Sequence, residues 1–145
     1  MKKVLILLFA TLWLFGASTP HLTQIKSKYS YYTTIKRIKQ AIRKKKLRIF
    51  CTIDHYRNAK RIKRRIEPSY LILFGTPYVG SHLMKMDVRA GLDLPMRILV
   101  FRLKGRTYVI YHRPIEMLEY YHLPRRTLQR MDKTIRSIVR YGCGR

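Results

Sequence analysis

The chain has 145 residues, with 32 Lys and Arg against 7 Asp and Glu and a formal net charge of +25. That length fits a single domain with its own core, and a hydrophobic share of 47% with 11 Tyr excludes a disordered polyelectrolyte. The charge favours polyanionic partners such as nucleic acid, anionic lipid or acidic polysaccharide, without choosing among them.

Met1-Lys2-Lys3 is a positive start, residues 4–15 are an uncharged run that is apolar but for Thr11, and Gly16-Ala17-Ser18 supplies small residues. This layout predicts a signal peptide over residues 1–18 and export to the periplasm or beyond, since the run is short of the ~20 residues that span a membrane. An uncleaved N-terminal anchor is the other reading. Residues 19–28 are expected to be a linker containing a short first strand near 22–26, and residues 29–145 a single α+β domain. Export would permit a disulfide between Cys51 and Cys143, the only cysteines. They lack Cys-x-x-Cys spacing and do not read as a metal site.

From Tyr31 the apolar period becomes helical, with Tyr31, Ile35, Ile38 and Ile42 on one face and Ser30 placed as N-cap. The helix is expected to fade at Lys44-Lys45-Lys46. Leu47, Ile49, Cys51 and Ile53 alternate as a strand does. Residues 57–66 predict a basic helix with Ala59, Ile62 and Ile66 on one face, stopped by Glu67-Pro68. Residues 70–74 read as a buried strand, broken by Gly75-Thr76-Pro77. A helical turn or two over 79–86 and a loop over 91–95 precede a hairpin, 97–103 with 106–111, that turns at Lys104-Gly105. Pro114 opens a short helix to Tyr121. The last helix covers 126–141, with Leu128, Met131, Ile135 and Ile138 on one stripe and Gly142 as terminator. This order predicts a mostly antiparallel sheet with helices on one face.

Asp54-His55 is the most tempting pair for chemistry, because a carboxylate can orient an imidazole for base catalysis. Strand neighbours point to opposite faces, however, so Asp54 reads better as the cap of the helix that follows. Ser69 and Ser81 lack a nucleophile frame. His55, His82, His112 and His122 have no ligand spacing, and residues 75–80 lack the Lys-Ser/Thr ending of a phosphate loop. Glu116 and Glu119, three apart on a short helix, read as a solvated face or as salt-bridge partners of nearby arginines. Residues 36–65 hold 14 Lys or Arg and one acid, Asp54. Within them, Arg57, Lys60, Arg61, Lys63, Arg64 and Arg65 form a candidate polyanion-binding patch. Tyr29, Tyr31, Tyr32 and Tyr56 flank or interleave the cations of residues 36–65, as stacking residues or as core.

Ile53-Asp54-His55 with Asn58-Ala59, Phe74-Gly75 with Pro77, Gly80 with Leu83-Met84, Leu92-Asp93-Leu94-Pro95 leading into Leu99-Val100, and His122-Leu123 occur in an order that resembles the domain-of-unknown-function 302 family. The resemblance covers about residues 27–123. It implies a fold similar to the TATA-binding-protein type, β-α-β(4)-α, and a homodimer. Thr76 stands where the family has Asn, and Arg113 where it has an acid. The resemblance carries no catalytic residues, and a shared architecture does not imply DNA binding.

The landmarks cluster at strand ends and breaks. They point to an exported, non-enzymatic domain that binds a small ligand or a protein partner, with His55, Asn58, Gly75, Pro77, Met84 and His122 as its candidate pocket. The alternative is a polyanion- or membrane-surface-binding protein, and a third reading is a hydrolase using His55. No cofactor or metal is named by these residues, and sequence-specific nucleic-acid recognition is not expected.

Overall fold

The computed structural model describes residues 22–145; the expected leader lies outside them. Five strands, β1 (Leu22–Lys26), β2 (Arg48–Asp54), β3 (Ser69–Gly75), β4 (Met96–Leu103) and β5 (Arg106–His112), form one sheet in the order β1-β5-β4-β3-β2. Every neighbouring pair is antiparallel. The helix α1 (Tyr31–Lys44) carries the chain from β1 at one edge to β2 at the other. Two short helices, α2 (His55–Arg61) and α3 (Pro77–Met86), follow β2 and β3 at opposite ends of the sheet, and α4 (Arg125–Cys143) closes the chain. The framework is the expected α+β arrangement, β-α-β(4)-α, with α2 and α3 inserted between strands.

The alternation of side chains across the strands decides which face is covered. Ile72, Phe74, Ile98, Val100, Val109 and Tyr111 point to one face and are buried together with Ile38 and Ile42 of α1 and Leu128, Ile135 and Ile138 of α4. Ile38 and Ile42 are wholly buried, and each such side chain contributes about 1.5–3 kcal/mol. The opposite face carries Leu71, Leu73, Leu99, Phe101, Tyr108 and Ile110, all only half-buried.

The helix ends have local causes. Ser30 Oγ accepts the amide of Thr33 at the start of α1, as expected. Thr76 Oγ1 accepts the Val79 amide at 3.1 Å, and Pro77 occupies the first turn of α3. Lys104 and Gly105, both at positive φ, turn the β4–β5 hairpin. Asp132 of α4 is 3% exposed. Arg113 donates to it through Nε at 3.0 Å and a second nitrogen at 3.3 Å, and Arg136 lies at 3.2 Å. That carboxylate ties the segment after β5 to α4. Arg113 thus has a partner within the fold.

Four expectations need correction. The second helix begins at His55 and ends at Arg61, rather than covering 57–66. It buries no residue, so no packing energy extends it. Lys63 turns left-handed at φ 59°, and Ile62 and Ile66 are 71% and 44% exposed. The expected loop at 91–95 is partly a 3-10 helix, Val88–Leu92. The segment opened by Pro114 is likewise 3-10, Pro114–Glu119. Finally, α4 continues through Gly142 to Cys143, and its left-handed cap is Gly144 at φ 72°.

Gly142 serves a different purpose. A Cβ there would lie 2.3 Å from Cγ1 of Ile38, so the missing side chain is what lets α4 approach α1. Gly142→Ala is expected to lower the unfolding free energy by about 1–3 kcal/mol through overpacking, measured by urea denaturation. Unchanged stability would mean that the two helices do not meet so closely.

Candidate functional site

The sequence-selected pocket residues fall at two ends of the molecule. β2 and β3 pair antiparallel with Arg48 opposite Gly75 and Asp54 opposite Tyr70. His55 and Asn58, in α2 just past Asp54, are therefore separated from Gly75 by the length of a strand, about 20 Å at ~3.4 Å per residue. Gly75, Pro77 and Met84 do come together, at the end of the sheet where α3 starts. His122 is exposed and lies outside that group, near Asp87. The six residues therefore do not form one site.

Asp54 caps α2: its Oδ1 accepts the Arg57 amide at 2.8 Å. That geometry matches the capping reading of Asp54-His55 rather than an oriented catalytic pair. Among the described residues no group of three or more His, Cys, Asp or Glu is placed to hold a metal ion.

Cys51 and Cys143 are free thiols. Cys51 is exposed on the edge strand β2. Cys143 is buried, and its carbonyl accepts the Lys28 amide beside the opposite edge strand, β1. The full width of the sheet separates them, so the expected disulfide is not formed. Burial pushes the Cys143 thiol up to about 11, which makes it a poor nucleophile at neutral pH.

The end of the sheet beside α3 holds a cavity of about 630 Å³. Its floor is Phe74, Gly75 and Met96 from the ends of β3 and β4, with Leu94 and Pro95 leading into β4. One wall is α3, through Pro77, Val79, Gly80 and Met84. The opposite wall is the first half of α4, through Thr127, Arg130, Met131 and Thr134, and Leu47 and Phe50 close the side below α1. The sharp strand-to-helix turn at Gly75-Thr76-Pro77 swings α3 away from the sheet and leaves this space. Thr76 and Ser81 direct their hydroxyls to the backbone of α3 itself, Ser81 Oγ donating to the Pro77 carbonyl at 2.7 Å. Apart from these, Thr127 and Thr134 of α4 are the neutral polar side chains on the walls, the rest is apolar, and Arg130 is the single charge among the lining residues. Such a space suits an apolar small molecule.

The contribution of α4 was missed from sequence, because its apolar stripe reads as core alone. Thr127, Arg130 and Thr134 flank that stripe at spacings of three and four, which sets them along one face of α4.

The basic patch is a separate feature. Arg57, Lys60, Arg61, Lys63, Arg64 and Arg65 are all exposed on α2 and the segment after it. Of the four tyrosines near the cations, Tyr31 is core, while the Tyr29 ring lies 4.3 Å from the Arg37 guanidinium. Tyr141 lies on Arg37 as well, at 4.4 Å, and Tyr56 is 5.3 Å from Lys60. Tyr32 is exposed. Its ring still meets that of Tyr31 edge to face at 5.2 Å, so all four are engaged within the chain.

Comparison with known proteins places this architecture. An uncharacterised conserved DUF302 protein from Bacillus stearothermophilus superposes with a TM-score of 0.76 over 86% of this chain and 99% of that one, at 12% identity, a likeness of fold. A fluoride-specific ion channel, FluC 1 of Brucella suis biovar 1 (strain 1330), is 34% identical over 80 residues, which are 55% of this chain and 32% of the channel. FluC 1 of Brucella abortus biovar 1 (strain 9-941) is also 34% identical over 80 residues, 30% of its length. The chain thus spans about a third of these curated relatives. The family model described as domain of unknown function DUF302 matches residues 23–140. The chain belongs to the DUF302 family.

Proposed function

We propose that this domain binds a small apolar ligand in the cavity between α3, α4 and the end of the sheet. The observation that carries this reading is a space of about 630 Å³ with apolar walls, within the size range of small-molecule sites. The apolar side chains on its walls offer water no hydrogen bonds, so covering them with an apolar molecule is favourable. The cavity is built within one chain, so binding does not require a second copy. His55 lies a strand length away from this space, so the ligand reading makes no use of it.

The test is a fluorescence titration of the full chain with N-phenyl-1-naphthylamine, a neutral apolar dye. Saturable binding of one dye per chain is expected. A side chain at Gly80 would meet nothing within 4 Å of its Cβ, so Gly80→Phe is expected to keep the fold and occupy the space. It should weaken the dye by at least about tenfold, or ~1.4 kcal/mol, as should Thr134→Phe from the facing wall. Non-saturable binding, or binding unchanged in both folded variants, would refute the reading.

A second reading rests on the α2 segment, where six exposed cations adjoin the exposed Ile62 and Ile66. Cations beside exposed apolar groups suit the surface of an anionic membrane. The similarity to part of membrane channels supports that location, and no helix among the described residues is long and apolar enough to cross a membrane. Co-sedimentation with phosphatidylglycerol vesicles should be strong at low salt, fall steeply as salt rises, and be lost when Arg57, Lys60, Arg61 and Arg64 are replaced by Glu. Retained binding in that variant would exclude the patch.

A further inference from the structure

Arg130 is the charge that the apolar-ligand reading leaves without a task. It sits exposed on the cavity wall. Arg136, further along α4, pairs instead with Asp132, which also holds Arg113 from the segment after β5. Asp132 is the closest acid to Arg130 in sequence. It is buried and already has two guanidinium partners, so it is not available to Arg130. Among the described residues no carboxylate forms an ion pair with Arg130.

Two further features converge on the same place. Thr127 and Thr134 line the cavity one turn before and one turn after Arg130, so two hydroxyls flank the guanidinium along a single helix face. Beyond the rim, a shallow depression is lined by Arg126, Gln129, Arg130 and Lys133, with no acid among them. The cavity is therefore apolar within and cationic at one edge. A wholly apolar molecule would use only the interior. A plain inorganic anion would use only the edge and leave the apolar walls against water.

We propose that the cavity's ligand is a single-chain amphiphile with an anionic head. This rests on the apolar-ligand reading and identifies the other end of that ligand. The tail lies among Phe74, Val79, Met96 and Met131, and the head meets Arg130 with Thr127 and Thr134 at its sides. The guanidinium fork matches a carboxylate or phosphate head, and hydrogen bonds to a charged acceptor are the stronger kind. The cations that serve this head are distinct from those of the α2 segment, which lies at the other end of the sheet.

The experiment is displacement of N-phenyl-1-naphthylamine from the full chain by decanoate, decyl phosphate and decanol, at a pH where both anions are ionised. Because Arg130 is exposed and partly screened, the anions should displace the dye at concentrations about fivefold below decanol. Arg130→Gln should bring them level with decanol without changing the affinity for decanol itself. Added salt should narrow the gap in wild type and have no such effect in the variant. Preference for either anion that depends on Arg130 supports the proposal, and which of the two is preferred assigns the head. Equal displacement by decanol and the anions, or a preference that survives in Arg130→Gln, overturns the proposal and leaves the apolar cavity intact. Failure of the dye itself to bind wild type overturns both.

Discussion

The close approach of α4 to α1 at Gly142 and Ile38 is the constraint from which the rest of the structure follows. Both helices must lie on one sheet face, because only that face presents the alternating run of Ile72, Phe74, Ile98, Val100 and Val109. The contact requires a residue without a side chain, since a Cβ at Gly142 would overlap Ile38. With the helices held together at the C-terminal end of α4, its N-terminal half stands over the other end of the sheet, where β3 turns sharply into α3. The cavity is the half-open space left there. It is a consequence of how two helices and one strand break are arranged, and its walls come from segments far apart in the chain.

Charge is distributed with a similar division of labour. Asp132 holds Arg113 and Arg136, and the rings of Tyr29 and Tyr141 cover Arg37. Arg37 also donates to the Tyr141 carbonyl at 2.9 Å, which fastens α1 to the last turn of α4. These cations belong to the fold. Those on α2 and at the rim of the cavity have no carboxylate partner among the described residues, and the functional proposals rest on them. A net charge of +25 is therefore several separate features, and treating it as one diffuse attraction for polyanions would miss the difference between a rim cation and a structural one.

Much of the fold was legible in the sequence because burial writes a period. Ile35, Ile38 and Ile42 mark α1, and Leu128, Met131, Ile135 and Ile138 mark α4. Lys104-Gly105 marks the hairpin because few residues tolerate positive φ in succession. The same logic failed at Ile62 and Ile66, whose spacing suggested a helical stripe although no partner surface exists to bury them. It also failed at Gly142, where a glycine near a helix end looked like a cap and instead served helix packing. The site was legible only in part. Gly75, Pro77 and Met84 were found because a strand break is a local event. His55 and Asn58 were grouped with them wrongly, since the direction of β2 relative to β3 is a matter of pairing that no local pattern reveals. Arg130 was invisible as a site residue, because its place on a wall depends on where α4 lands.

The measurement that bears most directly on the account is methyl NMR of the protein labelled at its methionines. Met84, Met96 and Met131 line the cavity, whereas Met117 is buried outside it. On titration with an apolar ligand, the account predicts saturable shifts of the Met84, Met96 and Met131 methyl signals together, with Met117 unmoved. Shifts confined to other methionines, or none at all while ligand binds, would place the binding site elsewhere and contradict the account.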